Sequence, residues 1–176
     1  MDFFIDSGVV IGYADGGDPH FHEPCKSFVR KYPFGSNGYY SLKYLILQEI
    51  RETELKRREQ RKKNIVKLFT QRAKIFLDQI QEVTNTTHAS LKLLFNQIHA
   101  YLLAKRKDLK RKEHDARFLT SAFIWDYEDK TLATPHFITT DWCDICENKQ
   151  DLTDIANKEL STSSSLNIQF VIDMVT

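Results

Sequence analysis

The middle of this sequence lacks residues that interrupt helices. All six glycines lie at or before Gly38, and no proline occurs between Pro33 and Pro135. Glycine and proline are the strongest local breaks in regular structure, so their absence excludes the usual interruptions of a helix over this long stretch. We therefore predict that the middle of the chain is helical almost throughout.

Long apolar runs and paired cysteines are missing as well. No stretch approaches the roughly 20 uncharged apolar residues that a membrane-spanning helix needs, and Asp2 and Asp6 stand where a signal peptide would be basic. Three cysteines are an odd number, which disfavours a disulfide framework and fits a reducing compartment. We interpret Cys143 and Cys146, a lone C-x-x-C, as ordinary thiols. These features predict a soluble, cytoplasmic protein.

Length and hydrophobic content indicate one domain. With 176 residues, of which 41% are hydrophobic, the chain can bury a single good core. We expect one domain over residues 1–176. Charge is distributed unevenly along it. Residues 1–24 contain no Lys or Arg, whereas the segment from Arg51 to Arg117 is strongly basic, although the net charge is only +1.

Two long helices are predicted within the basic middle. The first runs from an N-cap at Ser41 to about Val83, where Leu, Lys, Arg, Glu and Gln sustain a helix. After a break at residues 85–87, the second has apolar residues at core-facing spacing and ends near Lys112. Together they predict a long helical hairpin, with residues 53–112 as a basic insertion in the domain.

Three short apolar runs, at residues 3–5, 136–139 and 168–172, have the character of strands. The first is followed by a sharp turn at Ser7-Gly8 and a helical segment, Val9 to Ala14. Strands separated by helices favour an α/β fold with a parallel sheet beneath helices. In such sheets sites form at the carboxyl ends of strands, and Asp6 and Asp141 fall there.

Four acidic residues lie beside apolar runs: Asp6, Glu49, Asp115 and Asp141. Glu49 shares a helix face with Leu45, and Asp115 stands at the start of an apolar helix. A carboxylate beside a buried face is unfavourable unless a partner or a cation neutralises it. The pattern predicts a divalent-metal site. His114, next to Asp115, has two interpretations: a position near the site or, as the commoner case, a position at the surface.

Four ordered motifs resemble the PIN-domain family, which includes the VapC toxins. They are Phe4-Ile5-Asp6-Ser7, Leu45-Ile46-Leu47-Gln48-Glu49-Ile50, Asp115-Ala116 and Phe137-Ile138-Thr139-Thr140-Asp141. The resemblance covers residues 1–48 and 113–176 and leaves most of 53–112 unexplained. It implies a three-layer α/β/α fold with a central parallel sheet, carrying the long hairpin as an insertion.

The resemblance also implies an activity, metal-dependent hydrolysis of RNA phosphodiester bonds. Asp6, Glu49, Asp115 and Asp141 would be the catalytic acids that hold magnesium or manganese, with Ser7 and Thr139 as supporting hydroxyl residues. Asp144 would be a further ligand, and Glu52 a weaker one. Magnesium and manganese prefer hard oxygen ligands, which agrees with carboxylates at these positions.

An acidic site repels RNA, so other surfaces must hold the substrate. Basic side chains on the hairpin would give salt-sensitive, sequence-independent affinity for phosphates. The residues predicted to bind RNA are Arg57, Arg58, Arg61, Lys62, Lys63, Lys107, Lys110 and Arg111. The hairpin has another possible use, contact with a protein partner such as an antitoxin or other inhibitor, or with a second copy in a homodimer.

Several functions stay open at this point. The endoribonuclease is either the toxin of a toxin–antitoxin pair or an RNA-processing enzyme. The alternative is a catalytically weak PIN-like module that binds RNA or protein through the hairpin. A third hypothesis, a phosphatase that uses Asp6 as nucleophile, is disfavoured because Gly8 stands where a second Asp is expected.

Overall fold

A computed structural model describes residues 1–59, 63–84, 88–105, 109–129, 131–132 and 134–176, with the backbone alone for 63–65 and 109–111. Its elements, in chain order, are β1 (Asp2–Ile5), α1 (Ser7–Ala14), α2 (His22–Lys31), β2 (Gly38–Ser41), α3 (Lys43–Glu59), α4 (Lys63–Gln79), β3 (Gln81–Glu82), α5 (Leu91–Lys105), α6 (Leu109–Glu128), β4 (Pro135–Thr139), the π helix (Trp142–Cys146), α7 (Lys149–Leu160) and β5 (Asn167–Phe170).

The five strands form one parallel sheet in the order β3-β2-β1-β4-β5. The chain builds outward from β1 to β3 on one side, then crosses back and builds β4 and β5 on the other. Strand order therefore reverses between β1 and β4, which lie side by side with Phe4 opposite Phe137. In open parallel sheets the crevice outside the carboxyl ends at this reversal is the usual ligand site.

Helices cover both faces of the sheet. Successive strand residues point to opposite faces, and the ring of Phe3 packs against Phe28 of α2 while the ring of Phe4 packs against Trp125 of α6. Helices α1 to α4 contact one another, as do α5, α6 and α7. The predicted α/β architecture, with a central parallel sheet between helical layers, is confirmed.

The central strands are apolar because both of their faces are covered. Phe3, Phe4 and Ile5 are fully buried, and every residue of β4 is buried. Strands buried on both sides are continuous apolar runs rather than alternating ones. The three strands predicted from such runs are therefore present, although β5 ends at Phe170 and the chain turns after it.

The first predicted helix of the middle segment is wrong in its extent. Ser41 does not cap a helix; it ends β2, and its hydroxyl donates to the Ile5 carbonyl oxygen at 2.5 Å. The chain then forms α3 and α4, which pack against each other, and enters the sheet again at β3. A lack of helix breakers did not ensure one helix, because core packing of α4 and pairing of β3 with β2 outweigh local propensity.

The second predicted helix is also wrong in its extent. It was expected to end near Lys112, but α6 spans Leu109–Glu128, so Lys112 and Asp115 lie inside one helix and Asp115 does not start it. The predicted break at residues 85–87 lies outside the described part of the chain. The expectation of one domain with an insertion at 53–112 stays a prediction. Among the described helices, none is both long and apolar enough to span a membrane.

The packing of α4 gives a direct test of the corrected middle segment. Phe76 is fully buried against Tyr13, Phe34 and Tyr39, whereas neighbouring Ile75 is 55% exposed. We expect Phe76→Ala to lower the free energy of unfolding by about 3–5 kcal/mol. Ile75→Ala, the matched control, should change it by less than about 0.5 kcal/mol. Denaturant unfolding monitored by circular dichroism measures both; two small, equal losses would mean that α4 is not part of the core.

Candidate functional site

Two of the predicted acids meet at the reversal between β1 and β4. Asp6 directly follows β1, and Asp141 lies two residues beyond β4. The Asp6 amide donates to the Ile138 carbonyl oxygen at 3.1 Å, which extends the pairing of the two strands to the point where the acids project. Both carboxylates are buried, so the fold holds them in the crevice rather than in solvent.

Asp6 is held by donors on both sides. Its Oδ1 accepts a hydrogen bond from the Gly8 amide, which makes Asp6 the N-cap of α1, and its Oδ2 accepts one from the Thr139 hydroxyl. Burial, together with the nearby charges of Asp115 and Glu49, raises the pKa of the Asp6 carboxyl to about 7 against the opposing effect of its hydrogen bonds. Two acids from other elements therefore act electrostatically on Asp6.

Gly8 permits this arrangement because it has no side chain. A Cβ at position 8 would lie 2.1 Å from the Thr140 hydroxyl oxygen and 3.0 Å from Asp6 Oδ1. Real Cβ atoms essentially never approach as closely as 2.1 Å, so a larger residue at position 8 would require the Thr140 side chain or its surroundings to move. The same lack of space disfavours the phosphatase hypothesis, which needs a second acid at this position.

Glu49 reaches the site from α3. The Ser7 hydroxyl donates to Glu49 Oε2 at 2.7 Å, and His114 Nδ1 lies 2.9 Å from Glu49 Oε1. Glu49 is thereby tied to α1 and to α6. His114 lies near the site and not at the surface, the commoner case: its side chain is 12% exposed and lines the cavity around Glu49 and Asp115.

A buried lysine contacts two of the predicted acids on the α6 side. The Lys112 side chain is 1% exposed, and its ammonium group lies 3.1 Å from Asp115 Oδ2 and forms an ion pair with Asp144. In the sequence, Lys112 stands out only as part of the basic segment. Its i, i+3 spacing from Asp115 was the available signal, but the contact with Asp144 joins residues 32 positions apart and depends on tertiary packing.

Asp141 and Asp144 organise the turn after β4. The Thr139 hydroxyl oxygen accepts from the Asp141 amide at 2.9 Å, and Asp141 Oδ1 accepts from the Asp144 amide at 2.9 Å. Asp141 is thus the N-cap of the π helix. Thr139 serves both sides of the site, since it also donates to Asp6.

These side chains surround a cavity of about 320 Å³. The residues that line it are Asp6, Ser7, Gly8, Glu49, Glu52, Thr53, Lys56, His114, Asp115, Thr140 and Asp141. The cavity thus brings together the four predicted catalytic acids and Ser7, whereas Asp144 is not among its lining residues. Lys56 was not singled out from the sequence. It lies two helical turns after Glu49 on α3, a spacing that places both on one face.

The donor chemistry of this cavity fits a hard divalent cation. Magnesium is typically bound through one or two carboxylates and keeps several waters, and mutually unfavourable acids in a buried crevice gain from a positive charge between them. Within the described ranges, however, no group of three or more His, Cys, Asp and Glu side chains is arranged to hold a metal ion. The carboxylates instead accept hydrogen bonds from the protein.

The residues predicted to bind RNA fall into three groups. Arg58 is exposed on α3. Arg57 is largely buried, forms an ion pair with Asp15 and lies over the Phe69 ring, so its guanidinium links α3 to α1 and α4. For Lys63, Lys110 and Arg111 the structure describes the backbone alone. Arg61, Lys62 and Lys107 lie outside the described residues.

The raised pKa of Asp6 predicts a pH-dependent stability in metal-free buffer. The folded protein holds the Asp6 proton more tightly than the unfolded chain does, so unfolding free energy should fall as pH rises from about 3.8 to about 7. Asp6→Asn keeps a good N-cap but removes the ionisation. Relative to wild type, its stability should therefore improve across this window by an amount on the order of a few kcal/mol.

Denaturant unfolding at several pH values in EDTA measures this difference. Asp154→Asn, the same chemical change at an exposed acid on α7, is the control and should track wild type. If the difference between Asp6→Asn and wild type does not change with pH, the Asp6 carboxyl is not strained by burial.

Comparisons with known proteins agree with the fold. No protein-family model matches the sequence, and no curated protein matches it. One solved structure, the crystal structure of VapBC2 from Rickettsia felis bound to a DNA fragment from their promoter, contains a chain that matches with a TM-score of 0.50 and 14% identity, over 97% of this chain and 98% of that chain. At this identity the likeness shows the fold alone. That fold is consistent with the PIN-like architecture which the motifs predicted.

Proposed function

We propose that this protein is a magnesium- or manganese-dependent endoribonuclease of the PIN type. The observation that supports it is the convergence of Asp6, Glu49, Asp115 and Asp141 in one cavity. These acids come from four separate elements or their ends, and they meet where the strand order reverses. Their order and motifs resemble the PIN family, and the fold matches that of a chain in the VapBC2 structure.

The acids of the cavity would hold the ion. Asp6, Glu49, Asp115 and Asp141 present carboxylate oxygens there, whereas Asp144 lies outside it and is paired with Lys112. When bound, a divalent ion supplies neutralising charge for the phosphodiester and acidifies water for attack. Its charge would also favour the ionised form of the Asp6 carboxyl, whose pKa burial otherwise raises.

The chain's own hydrogen bonds preorganise these acids. The Thr139 hydroxyl and the Gly8 amide fix both oxygens of Asp6, so this carboxylate does not reorient when substrate arrives. Ser7 and His114 do the same for Glu49. Fixed groups of this kind stabilise developing charge without the penalty of reorganisation. These contacts support the proposal that Ser7 and Thr139 have the supporting roles which the resemblance implies.

RNA is the partner that this function requires, and α3 offers a basic approach to the cavity. Lys56 lines the cavity and is exposed, and Arg58 is exposed nearby on the same helix. Positive side chains at the rim attract the phosphate backbone toward an otherwise acidic pocket. An antitoxin, another inhibitor protein or a second copy of the chain remains an expectation from the resemblance, as does the toxin role.

A second candidate is a PIN-like module that binds RNA or protein without cutting it. The observation that favours it is the state of the carboxylates, which accept hydrogen bonds from the protein, with no three-ligand metal group among the described residues. On this alternative the cavity is a structural remnant, and the basic side chains alone carry the function.

Cleavage assays separate the two candidates. Labelled structured and single-stranded RNAs are incubated with the protein and manganese or EDTA. We expect metal-dependent cutting that Asp6→Asn lowers by roughly 100-fold or more, since one preorganised charged group is lost. Asp154→Asn should cut like wild type. RNA binding without cutting, equal in wild type and in the Asp6→Asn/Asp141→Asn variant, would instead support the binding module.

The role of α3 in RNA binding has its own test. Lys56→Ala and Arg58→Ala should each weaken RNA binding and reduce the slope of log affinity against log salt by about 0.7–0.9, as one phosphate contact is lost. Lys158→Ala removes an exposed charge from α7, which contributes no residue to the cavity, and is the control. Fluorescence anisotropy in EDTA over a range of salt measures the slopes; unchanged slopes would assign RNA contact to another surface.

A further inference from the structure

Lys112 is a fully buried cation inside the acidic cluster. Lysine is almost never fully buried unless it is paired, and the Lys112 ammonium group contacts Asp115 and Asp144 with a side chain that is 1% exposed. The geometry therefore places an ammonium group between two carboxylates at this position.

Asp115 connects this charge to the cavity. Asp115 lines the cavity, and its Oδ2 lies 3.1 Å from the Lys112 ammonium nitrogen. Asp144, the second partner of Lys112, is not among the cavity-lining residues. The cluster thus has two ends: an outer end at the cavity and an inner end made of Asp115, Lys112 and Asp144.

The two ends differ in how their negative charge is balanced. At the outer end Asp6 accepts hydrogen bonds from an amide and a hydroxyl, and Glu49 contacts the Ser7 hydroxyl and His114. At the inner end two carboxylates share the Lys112 ammonium group. A divalent ion is therefore favoured at the outer end, whereas at the inner end it would have to displace a buried ammonium group from both carboxylates.

We propose that the Lys112 ammonium group occupies the place of a second divalent ion, so that the site binds one divalent ion. This inference rests on the proposed metal-dependent function and adds its stoichiometry. Lys112 is a positioning residue: it fixes Asp115 through the ammonium contact and keeps Asp144 from binding metal. Its positive charge also opposes the approach of a second cation to the same carboxylates.

Counting bound manganese tests the proposal. Free Mn²⁺ is measured by electron paramagnetic resonance after equilibrium dialysis against the full chain, without RNA. Wild type and Lys112→Arg, which keeps the charge, should bind one ion. Lys112→Met removes the charge but keeps the length and apolar character of the side-chain stem, and should bind two, the second between Asp115 and Asp144. Lys112→Met/Asp144→Asn should return to one, because the second pair of carboxylates is incomplete.

Thermal unfolding shows whether each variant is folded. In EDTA the melting temperature of Lys112→Met should lie below that of wild type, because two buried carboxylates have lost their cation. Added Mn²⁺ should raise it by more than it raises the melting temperature of wild type or of Lys112→Met/Asp144→Asn. A merely structural role for Lys112 would lower the melting temperature without changing the number of ions bound.

The outcomes distinguish this inference from the proposed function. Two ions in wild type, or one in folded Lys112→Met, would overturn the role of Lys112 while leaving the metal-dependent nuclease in place. If Lys112→Met does not fold even with manganese, the wild-type and Lys112→Arg counts still decide, since two ions in either contradict the proposal. No ion in wild type would overturn the proposed metal site itself and this inference with it.

Discussion

The close approach of the carboxyl ends of β1 and β4 is the constraint on which the rest of the site depends. Backbone pairing continues to the Asp6 amide, and the Thr139 hydroxyl then connects the two chain segments that leave the sheet. Helix α1 starts at once beside Thr140, where a Cβ on Gly8 would collide with the Thr140 hydroxyl oxygen. Acidic residues at the ends of both strands are consequently forced into one small volume, and the surrounding helices must compensate their repulsion.

The negative charge of the acidic cluster is compensated by different groups in its different parts. At Asp6 and Glu49 the protein provides hydroxyl, amide and imidazole groups, which orient the carboxylates. At Asp144 and Asp115 it provides an ammonium group, which carries a full positive charge. The pKa of Asp6 is raised as a result of this imbalance, because the Asp6 carboxyl is buried and lies near the acidic side chains of Asp115 and Glu49. The proposal of a cation at the cavity follows from the same imbalance.

The sequence predicted the parts of this structure that depend on local pattern. The largely apolar strand segments at residues 3–5 and 136–139 are visible because covering both faces of a strand favours hydrophobic residues, and acids placed at their ends identify the edge of the sheet. In contrast, β3 has two residues, too few for any periodicity, and β2 carries a polar Ser41 whose burial depends on a bond to Ile5. The ion pair of Lys112 with Asp144 was not predicted for a similar reason, because Asp144 is brought near only when α6 packs beside the π helix.

The shape of the sheet also limits how this protein can associate. Its β3 edge is two exposed residues long, and the Glu82 carboxylate is engaged with the Lys43 amide at 3.0 Å. So short and polar an edge offers almost no backbone for a strand of another molecule to pair with, which is how natural sheets resist fibrous aggregation. Any specific complex on this side of the molecule would therefore have to form through helix side chains rather than by extension of the sheet.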